Sequence, residues 1–226
     1  MHTTDVIIVA AGSGTRFGAP KQLLQLLGKP LYRHSLDVFA SHELVRRIVL
    51  VVSKDVRSQI ADEVATVFGD GRIEMVLGGE TRQASVSNGL AQLSIGAASE
   101  LVLVHDAARP GIDAAVISAI IEAIDRHGAA LAAIPVVDTL KREADGFSAA
   151  TISRASLWRA QTPQGARRAL LLKAMDEARI RGYEGTDEAE LLERAGVAVK
   201  LVLGNERMMK VTYPDDLERV ALLLRR

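Results

Sequence analysis

The sequence predicts an α/β fold, a three-layer sandwich around a mostly parallel central sheet, and two observations carry that expectation. Short apolar runs rich in β-branched residues recur at residues 6–10, 47–52, 72–77, 101–104, 131–137 and 197–203. Helical patterns of about ten residues or more separate most of them, and strands that alternate with such helices form parallel sheets covered on both faces. At 226 residues and 48% hydrophobic content, the chain is long enough and apolar enough to bury a substantial core.

The elements follow in order. Residues 6–10 (VIIVA) end in a glycine loop and read as a buried first strand; the run is far too short to cross a bilayer. A short helix is expected at 31–40, a second strand at 47–52 (RIVLVV) and a helix at 54–68. Further on come a strand at 72–77, a helix at 81–93, a strand at 101–104 and a helix at 112–126. The run at 131–137 is a weaker strand because it contains Pro135. Helices at 166–180 and 187–194 precede the strand at 197–203, and Pro214 suits the first turn of a closing helix at 214–224.

One stretch breaks this rhythm. Residues 136–158 (VVDTLKREADGFSAATISRASLW) place polar, strand-like pieces around Asp145-Gly146, the signature of a hairpin turn. An irregular surface insertion is the alternative, but β-branched and apolar residues flank the turn on both sides. A hairpin with little core of its own needs something to pack against, such as a second subunit. The expected organisation is one domain over residues 1–226, with 136–158 projecting from it.

Composition narrows the function classes. The 28 basic and 28 acidic residues balance, and aromatics are only 4%, so neither charge nor stacking surface argues for a nucleic-acid partner. The absence of cysteine removes disulfides, thiolate nucleophiles and cysteine-ligated metals. The five histidines are scattered and make no zinc pattern. A cytoplasmic protein without a membrane anchor is expected.

The first loop, AAGSGTRFGAPKQ (residues 10–22), carries the most chemistry. Gly12, Gly14 and Gly18 allow backbone amides to approach an anion, beside Ala10 and Ala11. Their spacing matches neither the dinucleotide fingerprint nor a Walker loop. Arg16 can clamp phosphate oxygens in a fork and Lys21 supplies a compact positive charge. A glycine turn by itself can be a mere tight connection; the two cations favour a phosphate cradle that stabilises a leaving pyrophosphate.

Asp106, in HDAARP (residues 105–110), follows an apolar strand, where doubly wound sheets hold their ligands. Its carboxylate can hold Mg²⁺ together with substrate phosphates, or instead cap a helix or pair with Arg109. His105 reads as packed or hydrogen-bonded rather than as a ligand. In GGETRQASVSNGL (residues 78–90), Arg82 and Ser85 share a helical face and can reach one ligand, with Gly79 leaving room for a base or ribose. Those residues also read as a plain N-cap at Thr81 with surface polar neighbours. GTDEAELLE (residues 185–193) begins a helix with Thr186 or Asp187 as its cap. Lys210 follows the last strand and matters only if that strand end returns to the phosphate loop.

Taken in order, AAGSGTRFGAPKQ, GGETRQASVSNGL, VHDAARP, VVDTLKR, SRASLWRAQTPQ, GTDEAELLE and MKVTYPDDL span nearly the whole chain. This set resembles the 2-C-methyl-D-erythritol 4-phosphate cytidylyltransferase family, within the sugar-phosphate nucleotidyltransferases. The resemblance implies a Rossmann-like sandwich whose hairpin is a dimerisation arm. It also implies an enzyme that makes 4-diphosphocytidyl-2-C-methyl-D-erythritol and pyrophosphate from CTP and methylerythritol phosphate with Mg²⁺. By the same resemblance Arg16, Lys21 and Lys210 are the catalytic cations. Ala10, Ala11, Gly12, Gly14, Gly79, Arg82, Ser85, Asp106 and Ala107 would hold CTP, and Asp106 the metal. Arg109, Thr139, Arg154 and Thr186 would hold the sugar phosphate, with Thr139 and Arg154 offered across a homodimer interface. Ser153, Glu190 and Met208 depart from the residues common in the family. The alternatives are a ribitol 5-phosphate cytidylyltransferase and, from another class, a non-catalytic CTP sensor.

Overall fold

A computed structural model describes residues 2–12, 17–69, 71–96 and 98–225. Seven strands form its sheet: β1 (Thr4–Ala10), β4 (Val45–Val52), β5 (Ile73–Leu77), β6 (Leu101–Asp106), β7 (Ala129–Pro135), β10 (Trp158–Arg167) and β11 (Lys200–Leu203). Their spatial order is β11-β7-β10-β6-β1-β4-β5. Six strands run one way, and β10 alone lies antiparallel to both its neighbours. Two very short strands, β2 (Gln25–Leu26) and β3 (Lys29–Pro30), pair after the first loop.

Alternation along each strand sends side chains to opposite faces, and both faces are dry over the central strands. Val6, Ile8, Ile48, Leu50, Val52 and Leu103 point to one side. There they meet α1 (Leu31–Ser41), α2 (Arg57–Val67) and α4 (Ala114–His127) through Leu36, Phe39, Ile60, Ile117 and Ile121. Ile7, Val49, Val51, Val102 and Val104 point to the other side. They pack on α3 (Arg82–Leu93), α5 (Arg168–Ile180) and α6 (Glu188–Arg194) through Val86, Leu90, Leu171 and Leu191. Each such aliphatic side chain contributes about 1.5–3 kcal/mol on burial, so the sandwich holds without metal or disulfide. The closing helix α7 (Asp215–Leu224) seals a smaller cluster of Leu26, Leu31, Val211 and Val220.

Helix ends fall where the sequence supplies caps. Thr81, Asp113 and Asp187 each accept the backbone N–H three residues on, from Ala84, Val116 and Glu190. Gly128, at φ +89°, closes α4 in a conformation that a side chain disfavours.

The expected strands and helices are all present; besides the two-residue β2 and β3, one strand of the main sheet is additional. β10 lacks an apolar run because Gln161, Thr162 and Gln164 are buried in it. Hydrogen bonds replace apolar contacts there: Gln164 donates to Asp187 Oδ2 at 2.9 Å and accepts from the Ala189 N–H at 2.9 Å. The C-terminal strand also starts later than its apolar run, at Lys200.

Residues 136–158 form the expected hairpin, β8 (Leu140–Ala144) paired with β9 (Phe147–Ile152). Asp145 and Gly146 both have positive φ, 51° and 82°, as a two-residue type I′ turn requires. Nearly all of its residues are exposed, and Phe147 at its tip is 77% accessible.

Candidate active site

The C-terminal ends of β1 and β6, the loop after β5 and the segment after β11 surround a cleft of about 450 Å³. Open parallel sheets hold ligands at such strand ends. Ala10, Ala11, Gly12, Lys21, Gly79, Arg82, Ser85, Asp106, Ala107 and Lys210 all line it. Lys21 and Lys210 therefore meet, although they lie at opposite ends of the chain. The expected contributions of Gly14 and Arg16 lie outside the described residues.

Glycine is a geometric requirement on the far wall. A Cβ on Gly78 would sit 2.3 Å from the Ala11 Cβ, and one on Gly79 would sit 2.5 Å from the Ala84 Cβ. The loops after β1 and β5 can touch only because Gly78 has no methyl group, and the loop after β5 can lie on the start of α3 only because Gly79 has none. Ser85 stiffens the same wall: its hydroxyl accepts from the Gly79 N–H at 3.1 Å and donates to the Thr81 carbonyl at 2.9 Å.

A chain of charges crosses the floor. Lys210 Nζ lies 2.7 Å from Asp106 Oδ2, and Arg82 Nε donates to Asp106 Oδ1 at 3.0 Å. The two terminal nitrogens of Arg82 then bind both oxygens of Glu188 at 2.7 and 3.0 Å. All three Arg82 nitrogens are committed, which fixes the guanidinium plane. Burial pushes the Asp106 carboxyl up, but the Arg82 and Lys210 charges outweigh it and hold the group well below the ordinary carboxylate range. Burial raises the Glu188 carboxyl, and Arg82 only partly offsets it. The Asp106 carboxylate is thus ionised and aimed into the cleft at neutral pH.

Glu188 is a site residue that the sequence did not reveal. It reads as one of several acids at a helix start, yet Asp187 does the capping and Glu188 turns inward to 1% exposure. An acid buried beside a cleft arginine has no distinguishing signal in a linear cap pattern.

Lys21 Nζ donates to the Val211 carbonyl at 2.9 Å, which ties the first loop to the strand end that carries Lys210. Arg109 is not part of the cleft lining: it donates to the Met208 carbonyl at 3.0 Å and the Ala160 carbonyl at 3.3 Å. Thr186 lies in a neighbouring depression with Trp158, Asp187 and Glu190, and its hydroxyl donates to Glu190 Oε2 at 2.9 Å. A bond from the Thr186 backbone N–H, together with this one, lowers the Glu190 carboxyl to about 2. Thr139 and Arg154 are exposed at the base of the hairpin, where Arg154 donates to the Val137 carbonyl. The structure therefore brings together the expected nucleotide residues that it describes and leaves the expected acceptor residues spread over a wider surface.

Below the floor, His105 is fully buried, and burial lowers its ring to about 4. It packs edge-on against Phe39 with ring centroids 5.1 Å apart. Among the described residues no cluster of three or more histidine, aspartate or glutamate side chains forms a metal cage. A single ionised carboxylate still fits Mg²⁺, which commonly takes one or two protein oxygens and completes its shell with phosphate and water. Among the described residues no helix is long and apolar enough to cross a membrane.

A sequence model of the family described as IspD, 2-C-methyl-D-erythritol 4-phosphate cytidylyltransferase, matches residues 4–226. The 2-C-methyl-D-erythritol 4-phosphate cytidylyltransferase of Acidobacterium capsulatum is 43% identical, over 97% of this chain and 96% of its own. That of Bacillus licheniformis is 42% identical, over 94% of this chain and 92% of its own. The crystal structure of the Thermus thermophilus enzyme superposes with a TM-score of 0.80 at 31% identity, covering 100% of both chains. Agreement from the first strand to the last helix shows that this chain, a nucleotidyltransferase enzyme, belongs to the 2-C-methyl-D-erythritol 4-phosphate cytidylyltransferase family.

Proposed function

We propose that the cleft between the loops after β1, β5 and β6 binds CTP, and that the chain transfers CMP from it to 2-C-methyl-D-erythritol 4-phosphate. The observation that carries this reading is the meeting of Lys21, Lys210 and the Arg82-held Asp106 in one cleft. Two cations and one ionised carboxylate suit a polyphosphate, and among the described residues the cleft lining offers no nucleophile paired with a base.

The acceptor phosphate is already ionised near neutral pH, so its oxygen can attack the α-phosphorus without a protein base. One P–O bond forms to the acceptor, the bridge between α- and β-phosphorus breaks, and pyrophosphate carries away the electron pair. Lys21 and Lys210, with Arg16 expected beside them, neutralise the charge that grows on the α-phosphate and the leaving group. Ala10, Ala11, Gly12, Gly14 and Ala107 offer backbone to the nucleotide, and Gly79 with Ser85 shapes the wall for base and ribose. Asp106 would hold Mg²⁺, which when bound neutralises and orients the triphosphate.

Arg109, Thr139, Arg154 and Thr186 are the proposed acceptor residues. The first steadies the segment before Lys210, and Thr186 borders the neighbouring depression. Thr139 and Arg154 would serve the site of a second copy, with the catalytic domain spanning the whole chain and the hairpin as its arm.

Pyrophosphate release from CTP, measured with each purified sugar phosphate, tests the reading. Product is expected with methylerythritol 4-phosphate and little with ribitol 5-phosphate. The reverse ranking replaces the acceptor, and CTP binding without pyrophosphate from either makes the protein a sensor. Light scattering that finds only monomer at working concentration would overturn the shared site.

A further inference from the structure

The turn that presents Asp106 is held from beneath by hydrogen bonds that the transfer chemistry does not use. The backbone N–H of Asp106 donates to Thr162 Oγ1 at 3.0 Å. The same hydroxyl lies 3.1 Å from His105 Nδ1, and His105 Nε2 lies 3.1 Å from the carbonyl oxygen of Arg109. The Arg109 N–H closes the turn onto the Asp106 carbonyl at 2.9 Å.

Donor and acceptor roles can be assigned by elimination. A carbonyl oxygen only accepts, so Nε2 of His105 carries a hydrogen. The Thr162 oxygen already accepts from Asp106, which leaves its own hydrogen for the bare Nδ1. The imidazole thus grips both ends of the 106–109 turn, one directly and one through Thr162. Phe39 packs edge-on against the ring. The turn in turn fixes what stands above it: the Ala108 carbonyl accepts from the Val211 N–H at 2.8 Å, next to Lys210.

We propose that His105, relayed by Thr162, is a positioning residue for nucleotidyl transfer, setting from below the cleft where Asp106 and its partner Lys210 stand. The proposal rests on the transferase reading of the cleft. It also gives a use to the one reversed strand, since β10 delivers Thr162 to the turn.

Three measurements test it. In protein labelled with ¹⁵N-histidine, long-range ¹H–¹⁵N spectra should place the His105 proton on Nε2; a proton on Nδ1 alone overturns the assignment. Thr162→Val keeps the shape and removes the hydroxyl, and should lower kcat/KM by about 10- to 100-fold, the range typical of outer-shell partners. Assayed well below both melting temperatures, Thr162→Ser should restore most of that loss because it keeps the hydroxyl. Unchanged turnover in Thr162→Val, or no recovery in Thr162→Ser, overturns the positioning role. If Thr162→Val does not fold, His105→Asn replaces it, retaining an acceptor for Thr162 but no donor for the Arg109 carbonyl; the same direction of loss is expected. CTP affinity by calorimetry, run on the same proteins, separates the two ideas. A wild-type protein that binds CTP but never turns over sinks the transferase reading. The affinity then judges His105, which predicts weaker binding in Thr162→Val and is overturned by equal binding.

Discussion

The cleft and the hairpin solve the problem of placing polar side chains in opposite ways. In the cleft, Arg82, Asp106, Glu188 and Lys210 are already paired with one another, with Asp106 and Glu188 almost wholly buried. In the hairpin, Lys141 pairs only with its cross-strand neighbour Thr151, and the strands are exposed on both faces. Isolated two-stranded hairpins are marginal in water. The cleft is preorganised within one chain, whereas the hairpin has charge and backbone to offer but little that fixes them. Catalysis on charged substrates needs the first kind of order, and capture of an acceptor by a neighbouring subunit can tolerate the second.

Removing a cleft cation probes the largest difference. Lys210→Ala and Lys21→Ala are each expected to lower kcat by about 10²–10³, as loss of one preorganised charge donor does, with folding intact by circular dichroism. Normal turnover in a folded Lys21→Ala protein would end its catalytic role.

Glu188→Gln comes next, because it turns one of the two oxygens that Arg82 binds into an NH2 donor without vacating the space. A loss of about 10- to 100-fold in kcat/KM is expected. Glu188→Ala should in addition cost on the order of 3 kcal/mol in urea unfolding, since it leaves Arg82 half-paired beside a void. If neither changes activity, the floor of the cleft is less coupled than its hydrogen bonds indicate.

On the hairpin, Arg154→Ala should raise KM for the sugar phosphate by about tenfold, the value of one lost charge contact, and leave KM for CTP unchanged. Stability should move by less than about 0.5 kcal/mol, as for an exposed side chain. An effect on CTP instead of the acceptor would break the division between the two regions.

A further effect concerns the pH dependence of stability rather than activity. His105 stays neutral in the fold down to about 4, while in the unfolded chain it takes a proton near 6.5. Between those values the unfolded state binds more protons, so stability rises with pH through this window and is lost as pH falls. Wild-type Tm should decline from pH 6.5 towards 4, and His105→Phe should decline less over the same range.

Much of this was legible in the linear chain, for identifiable reasons. The alternation of RIVLVV and its counterparts with helical stretches reports a doubly covered sheet, because burial on both faces demands continuous apolar strands. Asp145-Gly146 reports its turn because few other pairs tolerate two positive φ values. Lys21 stood out beside Arg16 in a glycine loop and Asp106 at a strand end, whereas Lys210 drew attention only through the family resemblance until the fold brought it to the cleft. β10 stayed hidden because its buried faces carry glutamines and threonine, whose partners lie far away in sequence. Glu188 stayed hidden because a cap and a buried ion-pair partner look alike until the helix is docked.

The reversed strand also governs the order in which this protein can come into being. β10 lies between β6 and β7, so those two strands have no ladder to share until residues 158–167 exist. On a ribosome, the first strands and their helices emerge early, while the turn that bears Asp106 waits for Thr162 and then for Lys210. Long-range pairings of this kind close slowly. A chain halted shortly after β7 would own most of its first core and much of the cleft lining but neither Thr162 nor Lys210, so the cleft is among the last places to mature.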